Sequence, residues 1–134
     1  VEHPVTEMIT GVDLVEMQLK VACGHKLHLA QNEVPLRGHA IECRVYAEDP
    51  ENGFMPESGK IRILREPKTI DGLVRIDTGI REGDEISTYY DAMISKLIVW
   101  GEDRNQAIER MHHALDDYQV IGLPTNIKFM KRVL

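Results

Sequence analysis

The sequence predicts an α+β domain in which a mostly antiparallel sheet is flanked by amphipathic helices. Apolar residues recur at spacings of three and four near both ends of the chain, whereas alternating or continuous apolar segments occupy the middle. The connections between those middle segments are short and turn-rich, which favours antiparallel pairing over parallel crossovers. With 134 residues, 43% of them hydrophobic, the chain is long enough to bury a core of its own.

The charge balance narrows the classes of partner. The net charge is −6 and no run of basic residues stands out, so neither nucleic acid nor an anionic membrane surface is an expected partner. No apolar run approaches the ~20 residues that span a bilayer. Cys23 and Cys43 lack the spacing of a metal site, and two buried thiols are expected rather than a disulfide. The chain opens at Val1 without a signal-peptide pattern, which we interpret as a cut inside a longer polypeptide.

The first predicted helix covers residues 10–23, where apolar side chains form one stripe. Thr10 is expected to cap its N-terminus, with Asp13 three residues later as in a capping box. Gly24 follows the last turn, at a position where a positive φ is common. Residues 25–37 are predicted to be a connecting loop.

The middle of the chain predicts strands. In the stretch GHAIECRVYAEDP, residues 38–50, one face is predicted to carry Ile41, Cys43, Val45 and Ala47, and the other Glu42, Arg44 and Tyr46. A loop rich in proline and glycine follows over residues 48–59. Shorter strands are predicted at residues 61–64, 73–77 and 85–89. The nearly continuous apolar run over residues 94–100 is expected to form a central, buried strand.

The last third of the chain predicts two helices. Asp103 is expected to cap the first, whose apolar side chains recur at helical spacing over residues 107–118. Residues 120–126 are predicted to form a turn. Asn126 is then expected to cap a final helix that runs to the end of the chain.

The polar face of the strand over residues 41–47 is the first candidate site, because it carries Glu42 and Arg44 side by side. On pattern alone, a solvated face with an ion pair worth ~0.2–1 kcal/mol is the leading interpretation. The alternative is an anion or oxyanion site, since a guanidinium is always charged and presents a fixed fork of donors. Such a fork would stabilise negative charge that develops on a carbonyl-like oxygen.

Three other patches carry polar side chains. Glu2 and His3 precede a proline, which favours an extended or turn conformation facing a cleft, although a frayed terminus fits the pattern better. Without a second histidine at metal spacing, zinc is not expected there. Asp91, just before the buried strand, fits a ligand contact and a turn equally well. His112 and His113 do not share a helix face and are interpreted as surface or boundary residues.

Several motifs together identify a family. The chain contains VEHPVTEMITGVDLV, then GHAIECRVYAEDP with FMPESGKI shortly after, then YYDAMISKLIVWG, GEDRNQAIERM and GLPTNIKF. In this order they resemble the C-terminal part of the biotin carboxylase component of biotin-dependent carboxylases, over essentially the whole chain. Within that family they are most similar to the biotin-bearing alpha subunits of acyl-CoA carboxylases of the methylcrotonoyl-CoA and propionyl-CoA type.

The resemblance implies an ATP-grasp enzyme that uses MgATP and bicarbonate to make carboxyphosphate. Carbon dioxide derived from it is transferred to N1 of biotin held on a carrier domain. The resemblance places residues 1–37 at the C-terminal end of the ATP-grasp domain and residues 38–134 in the biotin carboxylase C-terminal domain. It also places the phosphate loop, the ATP-binding lysine and the Mg²⁺ carboxylates upstream of Val1, so the chain is expected to be inactive alone.

The resemblance assigns catalytic roles to two residues. Glu2 matches the family's proposed general base that deprotonates bicarbonate, and Val1 matches a residue whose backbone contacts bicarbonate. Arg44 matches the arginine that holds the ureido oxygen of biotin and stabilises its enolate. A fixed cation of this kind acts more strongly on the transition state than on the ground state, which is what catalysis requires.

Supporting roles and partners also follow from the resemblance. Glu42 is expected to support Arg44, Asp91 to contact substrate, and Arg75 to lie at a dimer contact. The implied partners are bicarbonate, the biotin carrier domain, a carboxyltransferase subunit, the rest of the ATP-grasp domain and a second copy in a homodimer. The implied location is the mitochondrial matrix for a eukaryotic source and the cytoplasm otherwise.

Two other functions remain open at this point. The chain could belong to another ATP-grasp ligase, such as a carbamoyl-phosphate or purine-pathway enzyme, and a biotinylated lysine in the parent protein would decide against that. The isolated piece could also act as a dimerisation or carrier-docking module. Sedimentation of the isolated domain discriminates this role, which is compatible with the first.

Overall fold

The computed structural model describes residues 2–134 and confirms the predicted α+β class. Within those residues the α-helices are Pro4–Thr10 (α1), Leu14–Ala22 (α2), Arg104–Asp117 (α3) and Ile127–Val133 (α4). The strands are His39–Tyr46 (β1), Glu48–Asp49 (β2), Met55–Pro56 (β3), Gly59–Lys60 (β4), Ile63–Arg65 (β5), Val74–Thr78 (β6), Glu85–Ile86 (β7), Met93–Gly101 (β8) and Gln119–Ile121 (β9).

The three longest strands form an antiparallel sheet in the order β1–β8–β6. The central strand β8 is the nearly continuous apolar run, and its residues from Ile94 to Val99 are all buried. This confirms the predicted central strand. β1 runs along β8 from His39 opposite Gly101, and the register shifts once, between Val45 and Tyr46. The short strands pair as β2–β3, β4–β7 and β5–β9.

The core lies between one face of this sheet and α3. β1 sends Cys43 and Val45 to this side, where they are paired with Leu97 and Ser95 of β8. α3 contributes the buried residues Ala107, Met111, Ala114 and Leu115. Full burial of a large aliphatic side chain contributes roughly 1.5–3 kcal/mol, so this layer holds the sheet and α3 together. The predicted alternation of β1 is confirmed, because Cys43, Val45 and Ala47 are buried whereas Arg44 is exposed.

The prediction of one helix over residues 10–23 is wrong at its start. Thr10 is the last residue of α1, and its hydroxyl donates to a carbonyl one turn earlier over 2.6 Å. Gly11 then ends α1 with a φ of 69°, a left-handed conformation that favours glycine. Asp13 caps α2 by itself, because its carboxylate accepts the backbone N–H of Glu16 over 2.8 Å.

Later boundaries are partly as predicted. Asp103 caps α3 as expected, and its carboxylate accepts the N–H of Gln106 over 2.9 Å. The strand predicted over residues 61–64 is displaced, since β4 ends before it and β5 begins inside it. The strand predicted over residues 85–89 is only the two residues of β7. Part of the turn predicted over residues 120–126 belongs to β9, which pairs with β5.

The two cysteines are free thiols in different surroundings. Cys43 is buried, as expected, but Cys23 is exposed at the end of α2. The expectation of two buried thiols fails at Cys23 because α2 buries none of its residues. Across residues 2–134, no helix has both the length and the apolar character needed to traverse a bilayer.

Candidate active site

The face of the sheet that lies opposite the core carries two rows of side chains across the three strands. Paired positions on β1, β8 and β6 make up these rows, namely Arg44, Lys96 and Asp77 in one row and Glu42, Ile98 and Arg75 in the next. Residues two positions apart on a strand share a face, so both rows lie on the same side. We call this surface the polar face. α1 contacts β1 and β8 and binds Arg75 of the polar face through Glu7.

Arg44 is an accessible cation held by a neighbouring carboxylate. Its Nε donates to Oε1 of Glu42 over 3.1 Å, and 54% of its side chain is exposed. The Glu42 carboxylate, through this hydrogen bond and through its charge, raises the pKa of Arg44 above its ordinary value. The pair therefore orients the guanidinium while leaving it open to a ligand, which is the arrangement that an oxyanion requires.

The main chain at Arg44 is held by Asn126, a 7% exposed residue just before α4. The Asn126 amide accepts the N–H of Tyr46 over 3.0 Å and donates to the carbonyl of Arg44 over 3.0 Å. These bonds fall where the register of β1 shifts between Val45 and Tyr46. Asn126 occupies the predicted position at the start of α4, but its side chain makes no capping hydrogen bond. It fixes β1 instead.

Tyr46 connects Arg44 to Asp91. The Tyr46 hydroxyl donates to Oδ2 of Asp91 over 3.0 Å, and the Tyr46 side chain also interacts with Arg44. Burial and then the Asp91 carboxylate raise the pKa of Tyr46, so the phenol keeps its proton and remains a donor at neutral pH. Asp91 is exposed and is placed by this bond beside the end of β1.

Glu2 reaches the polar face through Lys96. Lys96 is the cross-strand neighbour of Arg44 and forms an ion pair with Glu2. The side chain of Lys96 is 9% exposed and that of Glu2 is 69% exposed. The hydrogen bond and the charge of Lys96 lower the pKa of Glu2, and the charge of Arg44 adds to this effect. Two residues that are far apart in the chain, Glu2 and Arg44, therefore meet on one surface.

Arg75 is bound to two carboxylates of the same chain. Its Nε and Nη2 donate to the Asp77 carboxylate, each over 2.7 Å, and its Nη1 donates to Oε2 of Glu7 over 2.7 Å. The hydrogen bond to Asp77, followed by that to Glu7, raises the pKa of Arg75. Its side chain is still 38% exposed. The dimer contact expected at Arg75 stays a prediction.

The structure brings five of the predicted site residues into one neighbourhood, one of them Arg75 on the polar face. Glu2, Glu42 and Arg44 lie on or against the polar face, and Asp91 lies at the end of β1. Val1 lies outside the described residues. The roles that the resemblance assigns to these positions stay predictions at this point.

Sequence reasoning missed Lys96 and Asn126. Lys96 interrupts the apolar run of β8, and a charged residue inside a buried strand is a signal that a partner is near. Asn126 was interpreted only through its place before a helix, and no local pattern reports a side chain that bonds to a distant strand.

The histidines among residues 2–134 are all exposed or half-buried. Among residues 2–134, no group of three histidine, cysteine, aspartate or glutamate side chains is arranged to hold a metal ion. His3 and His113 are exposed and His112 is half-buried, at the surface or boundary positions expected for the pair on α3.

Two protein-family models match the chain. The biotin carboxylase C-terminal domain matches residues 42–134, and the ATP-binding domain of the carbamoyl-phosphate synthase L chain matches residues 1–30. The first match covers most of β1 and everything from there to α4, and therefore most of the polar face. The second covers α1, α2 and Glu2.

Similar proteins agree with the first match. The chain is 53% identical over 133 residues to the mitochondrial methylcrotonoyl-CoA carboxylase subunit alpha of Rattus norvegicus, and 52% identical over 135 residues to the mitochondrial propionyl-CoA carboxylase alpha chain of Caenorhabditis briggsae. These matches cover 99% and 100% of this chain but 18% of each relative.

A solved structure shows the same fold. The biotin carboxylase domain dimer of Hydrogenobacter thermophilus 2-oxoglutarate carboxylase, in complex with MgADP, ADP and bicarbonate, aligns with a TM-score of 0.94 and 42% identity. The alignment covers 99% of this chain and 29% of that chain. Because a family model matches well over half of the sequence, and because fold and relatives agree with it, the chain belongs to the biotin carboxylase C-terminal domain family.

Proposed function

We propose that the chain supplies part of the active site of a biotin carboxylase, which carboxylates carrier-bound biotin at N1 with MgATP and bicarbonate through carboxyphosphate. The observation that carries this proposal is the meeting of an acid and a fixed cation on the polar face. Glu2 is bound there by Lys96, the cross-strand neighbour of Arg44. The similar proteins are named for different final acceptors, so we assign the choice of acceptor to a carboxyltransferase subunit.

Glu2 is the proposed general base. Because Lys96 lowers its pKa, Glu2 is a carboxylate at neutral pH and accepts the proton of bicarbonate. The freed bicarbonate oxygen bonds to the γ-phosphorus of ATP while the bond to the ADP oxygen breaks. The products of this step are carboxyphosphate and ADP, with the proton on Glu2.

Arg44 is the proposed stabiliser of the biotin enolate. Carboxyphosphate breaks down to carbon dioxide and phosphate, and this phosphate accepts the N1 proton of biotin. Loss of that proton puts negative charge on the ureido oxygen, and N1 then attacks carbon dioxide. Arg44 is charged at every relevant pH, is oriented by Glu42 and is 54% exposed, so it can bind that oxygen as the charge develops. Asn126 fixes the main chain of Arg44, which limits the motion that would weaken this interaction.

The ATP and Mg²⁺ sites are proposed to lie outside this chain. Residues 2–134 hold no group of three metal-ligating side chains, which is consistent with this placement. Val15, Leu19 and Val21 of α2 are 48–63% exposed, which suits a surface that packs against the rest of an ATP-grasp domain. For a eukaryotic source we propose the mitochondrial matrix, since the similar eukaryotic proteins are mitochondrial.

The test uses the full-length parent protein with Arg44→Ala. Carboxylation of free biotin should fall by about 10²-fold or more, as expected for loss of one oxyanion donor. Bicarbonate-dependent ATP cleavage without biotin should survive, because that step depends on Glu2 rather than on the enolate. Both activities are measured on the same preparation.

Arg104→Ala is the matched control. Arg104 is an exposed arginine at the start of α3, so its removal changes the net charge equally and should leave both activities near wild type. If Arg44→Ala also leaves both activities near wild type, Arg44 is a solvated strand residue and its assignment is wrong.

A second candidate is another ATP-grasp ligase, because residues 1–30 match the ATP-binding domain of a carbamoyl-phosphate synthase. Biotin chemistry requires a biotinylated lysine elsewhere in the parent protein or its complex. Detection of protein-bound biotin with labelled streptavidin supports the carboxylase, and its absence from the purified active complex favours the other ligase.

A dimerisation or carrier-docking module is the third candidate. It is compatible with a carboxylase, because the aligned Hydrogenobacter thermophilus biotin carboxylase domain is a dimer. Sedimentation of the isolated chain over a range of concentrations tests it. A monomer at every concentration would count against self-association through this part of the enzyme.

A further inference from the structure

Lys96 is an unusual residue for its position. It lies in the middle of β8, where each of its neighbours from Ile94 to Val99 is also buried, and only 7% of its surface is exposed. Burying an ammonium is unfavourable unless it is paired, and an aliphatic side chain would pack there without that penalty. Stability alone therefore does not explain a lysine at this position.

The charges around Lys96 are arranged in pairs. The groups that face it are Arg44 on β1, Asp77 on β6, Glu42 and Arg75 in the adjacent row, Glu7 on α1 and Glu2. Glu42 is bound by Arg44, and both Asp77 and Glu7 are bound by Arg75. Glu2 is the acid that Lys96 binds.

We propose that Lys96 is the positioning residue of this site, which anchors the ionised Glu2 carboxylate beside Arg44. The inference rests on the proposed function and adds a residue to it. Glu2 is 69% exposed and precedes α1, so a carboxylate there is poorly fixed by packing. Lys96 is rigid because it is buried in the central strand, and a bond to it transfers that rigidity to Glu2.

The ion pair with Lys96 also affects how firmly Glu2 holds the proton that it accepts. A protonated Glu2 loses its charge attraction to Lys96, so Lys96 disfavours the protonated acid and favours release of the proton after each turnover. The lower pKa of Glu2 makes it a weaker base but keeps it ionised over a wider range of pH. Removing the lysine charge should therefore raise the pKa of Glu2, and a pH profile can detect this change.

The test compares Lys96→Met with Lys96→Arg in the full-length parent protein. The kcat/KM of bicarbonate-dependent ATP cleavage is measured across pH. Without the cation the pKa of Glu2 rises, so the acidic limb of the profile should move to higher pH. The value at neutral pH should fall by about tenfold or more, because the carboxylate loses its anchor. Lys96→Arg keeps the charge and should leave the limb in place.

A double variant separates positioning from a purely structural role. If Lys96 acts through Glu2, then Glu2→Gln combined with Lys96→Met should be no slower than Glu2→Gln alone. Losses that multiply would overturn the proposal, as would a loss of activity with an unmoved acidic limb. Lys20→Met is the control, since Lys20 is an exposed lysine that pairs with Glu16 on α2 and should change neither quantity.

A contact measurement keeps the proposal testable apart from catalysis. A water-soluble carbodiimide joins a carboxylate and an amine in direct contact as an amide, with loss of water. Peptide mass spectrometry of the treated parent protein should find Glu2 linked to Lys96. Absence of this link, with the Lys20–Glu16 link present, overturns the positioning role. A parent protein that forms the link but neither cleaves ATP with bicarbonate nor carboxylates biotin would overturn the proposed function instead.

Discussion

α2 and α3 begin in the same way but differ in what they bury. Each follows an aspartate whose carboxylate accepts a backbone N–H three residues later, Asp13 over 2.8 Å and Asp103 over 2.9 Å. α3 places four apolar residues in the core, whereas α2 buries none. Leu19 of α2 is 63% exposed, and Leu115 of α3 is 0% exposed.

The difference separates two sources of helix stability. A cap and a run of good helix formers are local properties, and α2 and α3 share them. Most helix stability in proteins comes from packing an apolar face on a partner. α3 has that partner in the main sheet, while the apolar side of α2 has none among the described residues. The two helices should therefore respond differently to matched substitutions.

The largest difference is expected for truncation of a leucine. Leu115→Ala removes a fully buried side chain and should lower the free energy of unfolding by about 2–5 kcal/mol. Leu19→Ala removes an exposed one and should change it by no more than about 0.5 kcal/mol. Chemical denaturation of the two variants measures both values. Equal losses would mean that α2 packs on a surface within this chain.

The reactivity of the two thiols compares the core with the end of α2 without a substitution in either helix. Burial, followed by the charge of Glu42, raises the pKa of Cys43 to about 11, while Cys23 at the end of α2 is exposed. Thiolates are the reactive form, so near pH 8 Cys43 should react with an aromatic disulfide reagent at least about 10²-fold more slowly than Cys23. Mass spectrometry of the labelled peptides gives both rates, and similar rates would contradict the buried site.

The same thiol makes stability depend on alkaline pH. The folded pKa of Cys43, about 11, lies above the ordinary value of 9.0. Below pH 9 both states hold the proton and the full stability is present. Between pH 9 and 11 only the unfolded state releases it, so stability falls as pH rises. Cys43→Ala should flatten this part of the profile, and an unchanged slope would assign it to other groups.

The smallest difference is expected for the caps. Asp103→Ala and Asp13→Ala should each cost their helix about 1 kcal/mol. Only the loss at Asp103 should appear in global unfolding, because α3 is packed into the core. The loss at Asp13 should appear as faster amide hydrogen exchange within α2. Asp103→Asn retains a capping oxygen and is the control. A loss of global stability for Asp13→Ala would contradict the distinction between the two helices.

The sequence predicts what is decided locally. The cap at Asp103, the buried strand β8 and the alternation of β1 are periodic or positional signals, and all three are confirmed. The break at Gly11 is a local signal that the apolar periodicity masked, because the apolar stripe of α2 extends back to Val12, directly after Gly11.

The candidate site is less accessible to sequence reasoning. Arg44 and Glu42 can be recognised because they are neighbours on one strand. The approach of Glu2 depends instead on Lys96, which lies on β8, much later in the sequence. The contact of Asn126 with β1 likewise depends on the register shift at Tyr46. Contacts between distant segments follow from register and packing, which no short pattern encodes.

The bonds from Asn126 to β1 also set an order of events during translation. β1 leaves the ribosome well before β8, with which it pairs, and before Asn126, which fixes its main chain at Arg44. Until then the nascent strand has unpaired edges and exposed apolar side chains, a state that invites aggregation or chaperone binding. Arg44 is thus among the first residues of the site to be synthesised and among the last to be locked in place.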